Sequence, residues 1–202
     1  MRNLFIAVLL VLFVNTSIAS IYNVPSESME DTLLTGDVFV LMNFWYGIRL
    51  PWVEKPIIPV FKLKGGDIIV FRSPLNKYEE MVKRCVAVGG ESIDIIQKHV
   101  YVGGRPVPLP AQAKNTDTRL IPAGDDAGGR RDFYPRTVVP DSAVFVLGDN
   151  RDVSQDSRLW GLVPVNSIKG KVGIVLFSLD PKVKWLDIPH KFRWKRVFHA
   201  VK

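Results

Sequence analysis

The chain has 202 residues, 47% of them hydrophobic, and 27 Lys+Arg against 20 Asp+Glu give it a net charge of +7. That length carries one domain with a core of its own, or one domain with a small subdomain. The single cysteine, Cys85, excludes an intrachain disulfide and a cysteine-based metal site, and the three histidines, His99, His190 and His199, lack ligand spacing.

The surplus of apolar residues lies at the N-terminus. "MRNLFIAVLLVLFVNTSIASIY" places Arg2 before an apolar run from Leu4 to Val14, then Asn15, Thr16 and Ser17, then Ile18 to Tyr22. The run is short for a bilayer span, which needs about 20 mostly apolar residues. It ends in the small-x-small pattern "SIA" of a cleavable signal peptide. Counted from Leu4 to Val24, it reaches the length of an anchor. Both readings keep the N-terminus cytoplasmic and send the rest of the chain across.

The remainder predicts a mostly β domain. "DVFVLMN" (37–43), "DIIVFR" (67–72), "MVKRCVAV" (81–88), "SIDII" (92–96), "HVYV" (99–102), "AVFVL" (143–147) and "VGIVLF" (172–177) are short and rich in β-branched and aromatic residues, with Gly, Pro and Asp between them. Gly103-Gly104 predicts a hairpin turn. Antiparallel sheets in a barrel-like or sandwich domain fit such strands. The aromatic-rich stretch 43–52, "NFWYGIRLPW", suits either core or a membrane interface. Residues 97–140 read as a short inserted loop or β excursion, whose polar portion 111–137 has little core of its own. Residues 182–202 carry seven Lys or Arg against Asp187 alone, interleaved with Trp185, Phe192, Trp194 and Phe198. This tail suits either a solvated terminus or contact with anionic lipid or nucleic acid.

Two serines one residue apart, in "NVPSESMEDTLLTGD" (23–37), follow the apolar run. A serine hydroxyl attacks only when a base takes its proton, and no histidine lies beside a suggestive motif. Lys83, inside the apolar strand "MVKRCVAV", is the candidate base. Burial would disfavour its ammonium, and lowering it from about 10.4 to near 8 corresponds to roughly 3 kcal/mol. A half-exposed strand would instead point it into solvent. The third unusual stretch, "GDNRDVSQDSRLWG" (148–161), interleaves Asp149, Arg151, Asp152, Asp156 and Arg158 directly after an apolar strand. Internal ion pairs would make such a loop a rigid platform for a site.

With these segments in order, "PSESM", "TLLTGD", "GGDIIVF", "VKRCVAVGGE", "GDNRDVSQDSRLWG" and "GLVPVNSIKGKV", the chain resembles bacterial type I signal peptidase over about residues 20 to 180, more weakly across 97–140. The resemblance implies a Ser/Lys-dyad serine endopeptidase that removes signal peptides from exported preproteins. Ser28 matches the nucleophile, Lys83 the general base, and Ser26 the oxyanion-hole hydroxyl. Ser154 matches the serine that orients the lysine, and Asp156 and Arg158 a supporting ion pair. Tyr22, Val24, Met29, Leu33, Met81 and Val82 match positions lining the shallow substrate pockets. Asp149 and Arg151 match structural members of the same box, and Arg84 a support of the fold.

The resemblance also implies one N-terminal transmembrane helix, with residues 1–22 as an uncleaved anchor and 23–202 as the peptidase domain. The protein would sit in the inner membrane, its catalytic domain on the extracytoplasmic side. Its partners would be signal-peptide-bearing preproteins and membrane lipid, with no metal, cofactor or nucleic acid. Asp31 stands where relatives usually have Pro, Val153 where Asn is frequent, and Gly89-Gly90-Glu91 where Pro-Gly-Asp is frequent. These departures touch loop geometry rather than a catalytic group. The alternatives are a peptidase dedicated to one partner, as in conjugative transfer, and a secreted β-rich binding module that loses its first 19 residues.

Overall fold

A computed structural model describes residues 18–24, 26–47, 61–76, 78–122, 124, 129–184 and 186–201. Residues 1–17, which hold most of the expected anchor, lie outside that set, as do Ile48, Leu50 and Trp52 of the aromatic stretch. No helix among the described residues is long and apolar enough to cross a membrane.

Twelve strands are described: β1 (Ala19–Asn23), β2 (Asp37–Met42), β3 (Ile68–Arg72), β4 (Glu80–Ala87), β5 (Ser92–Ile96), β6 (His99–Val102), β7 (Arg105–Val107), β8 (Tyr134–Val138), β9 (Ala143–Leu147), β10 (Val163–Pro164), β11 (Ile168–Ser178) and β12 (His199–Ala200). Three one-turn helices accompany them: α1 (Gly129–Asp132), α2 (Ser157–Trp160) and α3 (Ile188–Lys191). The larger sheet runs β1-β2-β11-β3-β4-β9-β10, with β12 added to β11, and every strand pair in it is antiparallel. Register breaks in β11, at 168/170, 172/175 and 175/177, let this long strand curl.

Alternation explains why these segments are strands. In β2 the pattern is strictly buried and half-buried, so Phe39 and Leu41 enter one core face. They join Val24, Met29, Leu33, Ile68, Val70, Val172 and Val175 in one buried cluster. A second cluster holds Ile69, Phe71, Cys85, Val144, Val146, Val163 and Ile168. β9 is buried at every position, as its uninterrupted apolar sequence demands.

One expectation changes. Ala19–Tyr22, counted with the anchor, form β1, with Tyr22 opposite Phe39 and the two rings stacked at 5.9 Å. The pairing edge of β2 and the core position for Tyr22 draw these residues into the sheet. The stretch 97–140, expected as a loop or β excursion, holds three strands. β6, β7 and β8 join β5 in a second sheet of order β7-β6-β5-β8. Val100 and Val139 share a buried cluster with Ile93, Ile95, Val86, Phe145 and Leu147, which seals the small sheet onto the large one.

Gly103 and Gly104 form the β6–β7 turn at φ +59° and +75°, the left-handed pair expected of a two-residue hairpin. The β5–β6 turn takes the same form with Gln97 and Lys98, at +49° and +68°, where glycine is absent. Tertiary bonds hold it: Lys98 N–H donates to Asp132 O, and Lys98 Nζ to Asp117 O and Asp152 Oδ1 at 2.6 and 2.8 Å.

The basic tail folds back on the sheet. Phe192 sits against Phe177 and Trp194, and Arg193 and Arg196 bond within the domain. In the aromatic stretch, Trp45 stacks on Phe61 at 4.3 Å beneath the Lys171 ammonium, and Tyr46 donates to Asp67 Oδ2.

Candidate active site

Ser28 lies in a single 3-10 turn, Glu27–Met29, shortly after β1. The turn is anchored from below. Met29 and Leu33 are fully buried, and Met29 O accepts from Thr32 N–H (3.1 Å) and Leu33 N–H (2.7 Å). Burying two large apolar side chains contributes about 4 kcal/mol toward holding the segment in place. Ser28 itself remains partly open.

Lys83 comes from β4, which pairs with β3 along Glu80–Arg84. Its side chain is buried, 4% exposed, and Nζ lies 2.5 Å from Ser28 Oγ. Burial pushes the amine down from its ordinary value of 10.5 to about 8, and the Arg158 charge acts in the same direction. Asp156 and Asp149 oppose that fall. Desolvation outweighs the two carboxylates because each of them already faces its own arginine. Ser26 Oγ stands 3.3 Å from Ser28 Oγ, on the exposed side of the turn.

The loop after β9 grips the Ser28 turn and the Arg84 side chain next to the lysine. Asn150 N–H donates to Ser28 O (3.1 Å), and Asn150 Nδ2 to Glu27 O (3.2 Å). Asp149 is fully buried and takes a two-pronged bond from Arg84 Nε and Nη2, at 2.8 and 2.7 Å, plus one from Thr32 Oγ1 at 2.5 Å. Asp156 caps α2, accepts from Gly148 N–H at 3.0 Å, and meets Arg158 through Nε and Nη2, both at 2.8 Å. Arg158 also donates to Arg151 O and Arg131 O. Of the expected internal ion pairs one forms, Asp156–Arg158; Asp149 and Asp152 instead pair outside the loop, with Arg84 and Lys98, so its bracing is mostly tertiary.

Gly148 has no room for a side chain. A Cβ there would come within 2.1 Å of Ser154 Oγ and 2.6 Å of Ser28 O. Ser154 thus packs on the Gly148 backbone, but the contact to Lys83 expected of it is not made: its hydroxyl donates to Gln155 O at 3.4 Å, and Lys83 Nζ bonds Ser28. Arg151 is buried, and its Nε has no hydrogen-bond partner. Burial lowers its guanidinium to about 10. Cys85 is enclosed, and burial raises its thiol to about 12, so it stays a packing residue.

The six residues matched to substrate pockets divide. Val24, Met29 and Leu33 are core, with Tyr22 and Val82 packed against the same cluster at its margin. Met81 packs against the other cluster, beside Ile69, Phe71 and Cys85. Tyr22 and Val82 therefore offer surface, whereas Leu33 and Met29, at 0% and 1% exposed, shape it from beneath. Burial and the neighbouring Glu80 carboxylate raise the Tyr22 hydroxyl, and a hydrogen bond between the two brings β1 alongside the start of β4.

Sequence reasoning passed over Thr32, Asn150 and Lys114. Lys114 Nζ bonds Glu30 at 3.0 Å and Asp31 at 2.8 Å, while its backbone exchanges bonds with Asp149 and Arg151. Asp31 sits at φ +74°, which a proline cannot adopt, so the turn after the nucleophile follows its own path here. Arg84 carried a signal: a charged residue next to Lys83 inside an apolar strand needs a buried partner. No group of three or more His, Cys, Asp or Glu that could hold a metal ion occurs among the described residues.

Comparison with known proteins agrees with this geometry. The family described as "Signal peptidase, peptidase S26" matches residues 1–177. The signal peptidase I of Helicobacter pylori strain J99 is 30% identical over 96% of this chain and 89% of its own length. That of Haemophilus influenzae is 29% identical over 100% of this chain and 75% of its own. That of Aquifex aeolicus is 29% identical over 87% and 82%. A family match spanning most of the chain, with relatives aligned along nearly all of it, shows that the chain belongs to the signal peptidase family, peptidase S26.

Proposed function

We propose that the protein is a membrane-anchored serine endopeptidase that removes N-terminal signal peptides from exported preproteins, with Ser28 as nucleophile and Lys83 as general base. The observation that carries this reading is a buried amine 2.5 Å from the Ser28 hydroxyl. Uncharged Lys83 Nζ takes the hydroxyl proton as Ser28 Oγ bonds to the scissile carbonyl carbon. Charge gathers on the carbonyl oxygen, where the Ser26 hydroxyl and the Ser28 N–H donate; one such donor contributes about 3–4 kcal/mol. As the C–N bond breaks, the Lys83 ammonium returns its proton to the leaving amine. Lys83 then takes a proton from water, which attacks the ester and frees Ser28. Asp156 and Arg158 set the charge around the lysine, and Ser154 packs on Gly148 beside the Ser28 carbonyl.

The substrate fits as an added strand. β4 pairs with β9 only from Arg84 onward, so its Glu80–Lys83 edge on that side is unpaired among the described residues. Tyr22 and Val82 flank that edge with apolar surface, suited to small side chains before the cut.

Residues 1–17 are the proposed anchor, which places the domain at the outer surface of the inner membrane. Strand register supports a lipid-facing side. Ile21 pairs with Val40, and Val38 with Phe177, on the face opposite the Phe39 core. Phe192 and Trp194 extend that face, and Ile21 and Trp194 are 69% and 65% exposed. It begins where the apolar N-terminal run ends.

The test is cleavage of a model preprotein by wild type, Ser28→Ala and Lys83→Ala. Each substitution should abolish turnover in a folded protein. Turnover in either variant rejects the dyad.

A further inference from the structure

The family match ends at residue 177, yet the segment after it reaches the nucleophile turn. It crosses back as β12, and Val201 N–H donates to Gly173 O while its side chain packs on the cluster of Met29 and Leu33. Two arginines of this strap serve residues 32–37. Arg193 Nη1 donates to Thr35 O at 2.9 Å. Arg196 Nε and Nη2 clamp the fully buried Asp37 carboxylate, and Nη2 also donates to Thr32 O at 2.9 Å. Thr32 is thereby fixed at three atoms: its N–H on Met29 O, its Oγ1 on Asp149 and its carbonyl on Arg196. The first two bonds belong to the turn that carries Ser28 and to the loop that holds Arg84, the neighbour of Lys83 on β4.

We infer that Arg196 is a positioning residue: through the Thr32 carbonyl, the C-terminal strap sets the Ser28 turn against the lysine. The inference rests on the peptidase reading above. A planar guanidinium can serve the Asp37 carboxylate and the Thr32 carbonyl together, whereas a lysine ammonium at the same site serves one of them as a point charge.

The experiment uses the full chain and a preprotein substrate, comparing wild type, Arg196→Lys, Thr32→Val, their double variant and Asp37→Asn. Assays run at 15 °C, alongside thermal melts. Arg196→Lys should lose about tenfold in kcat, with KM within twofold, at a temperature where it is fully folded. The double variant should be no more than about twofold slower than Thr32→Val alone, since both changes act through one residue. Asp37→Asn, which keeps Arg196 on the Thr32 carbonyl, should retain kcat within about threefold. Wild-type kcat in Arg196→Lys overturns the inference. So does a loss that disappears well below the melting transition, a multiplicative double variant, or a tenfold fall in Asp37→Asn. An active Ser28→Ala control would instead overturn the dyad, so the two failures are separable.

Discussion

Replacing Lys83 by methionine should make the protein more stable and inactive, and the gain in stability should depend on pH. The native site lowers the amine from 10.5 to about 8. At about 1.4 kcal/mol per pH unit, the buried ammonium costs about 3 kcal/mol of folding free energy at pH 7. Methionine has similar length and no charge to desolvate. It leaves the Ser28 hydroxyl without its amine partner, a loss of about 1 kcal/mol that water reduces at this half-open site. The net gain is about 2 kcal/mol, or roughly 4–8 °C in melting temperature for a domain of this size. The sign follows from linkage. Between pH 8 and 10.5 the unfolded chain holds a proton that the native site has released, so wild-type stability rises with pH across that window. The advantage of Lys83→Met should therefore shrink above pH 8 and close by about pH 10. Urea unfolding of both proteins from pH 6 to 10, paired with cleavage assays, measures it. A methionine variant less stable than wild type at pH 7, or a gap indifferent to pH, refutes a desolvated amine at this position.

Other outcomes follow from the same geometry. Wild-type kcat/KM should climb close to tenfold per unit up to about pH 8 and level off above it, because only the uncharged Lys83 accepts a proton; a flat profile from pH 6 to 9 contradicts this. Gly148→Ala should fold yet lose about 100-fold in kcat/KM, since the new methyl displaces Ser154 and the Ser28 carbonyl; near-normal kinetics would refute the close packing. Asp149→Asn should cost about 3–5 kcal/mol in denaturant unfolding, because it removes the carboxylate from a buried ion pair. Arg151→Met should be neutral or stabilising in the same assay, because burial disfavours the guanidinium and its Nε makes no hydrogen bond.

Much of this site could be read from the chain because its chemistry depends on residues that look misplaced. Lys83 and Arg84 interrupt an apolar strand, and the dense charges of 148–158 follow one directly. Both patterns demand burial with partners: Arg84 meets Asp149 and Arg158 meets Asp156, whereas Arg151 Nε has none. The strands from β2 to β6 and β9 stood out for the same reason, since their alternation or continuous apolarity maps onto buried faces. β1 did not, because Ala19–Tyr22 continue the hydrophobic run and only pairing with β2 separates them from it. β7 and β8 carry Arg and Pro at exposed positions, so their strand identity comes from neighbours rather than propensity. Thr32 and Arg196 were silent for another reason. Their contacts join positions 164 residues apart, and nothing local in either stretch announces the other.

The two hairpin ends of the small sheet invite opposite treatment by evolution and by engineers. At Gln97-Lys98 the chain is tied down by ionic contacts to the loop bearing Asp152, so a lengthened linker there would tug on the chemistry. At Gly103-Gly104 nothing lies within 4 Å of where a side chain would start. A fluorescent tag, an affinity handle or a natural inserted domain grafted at that tip should leave turnover intact, making it the place to enlarge this enzyme.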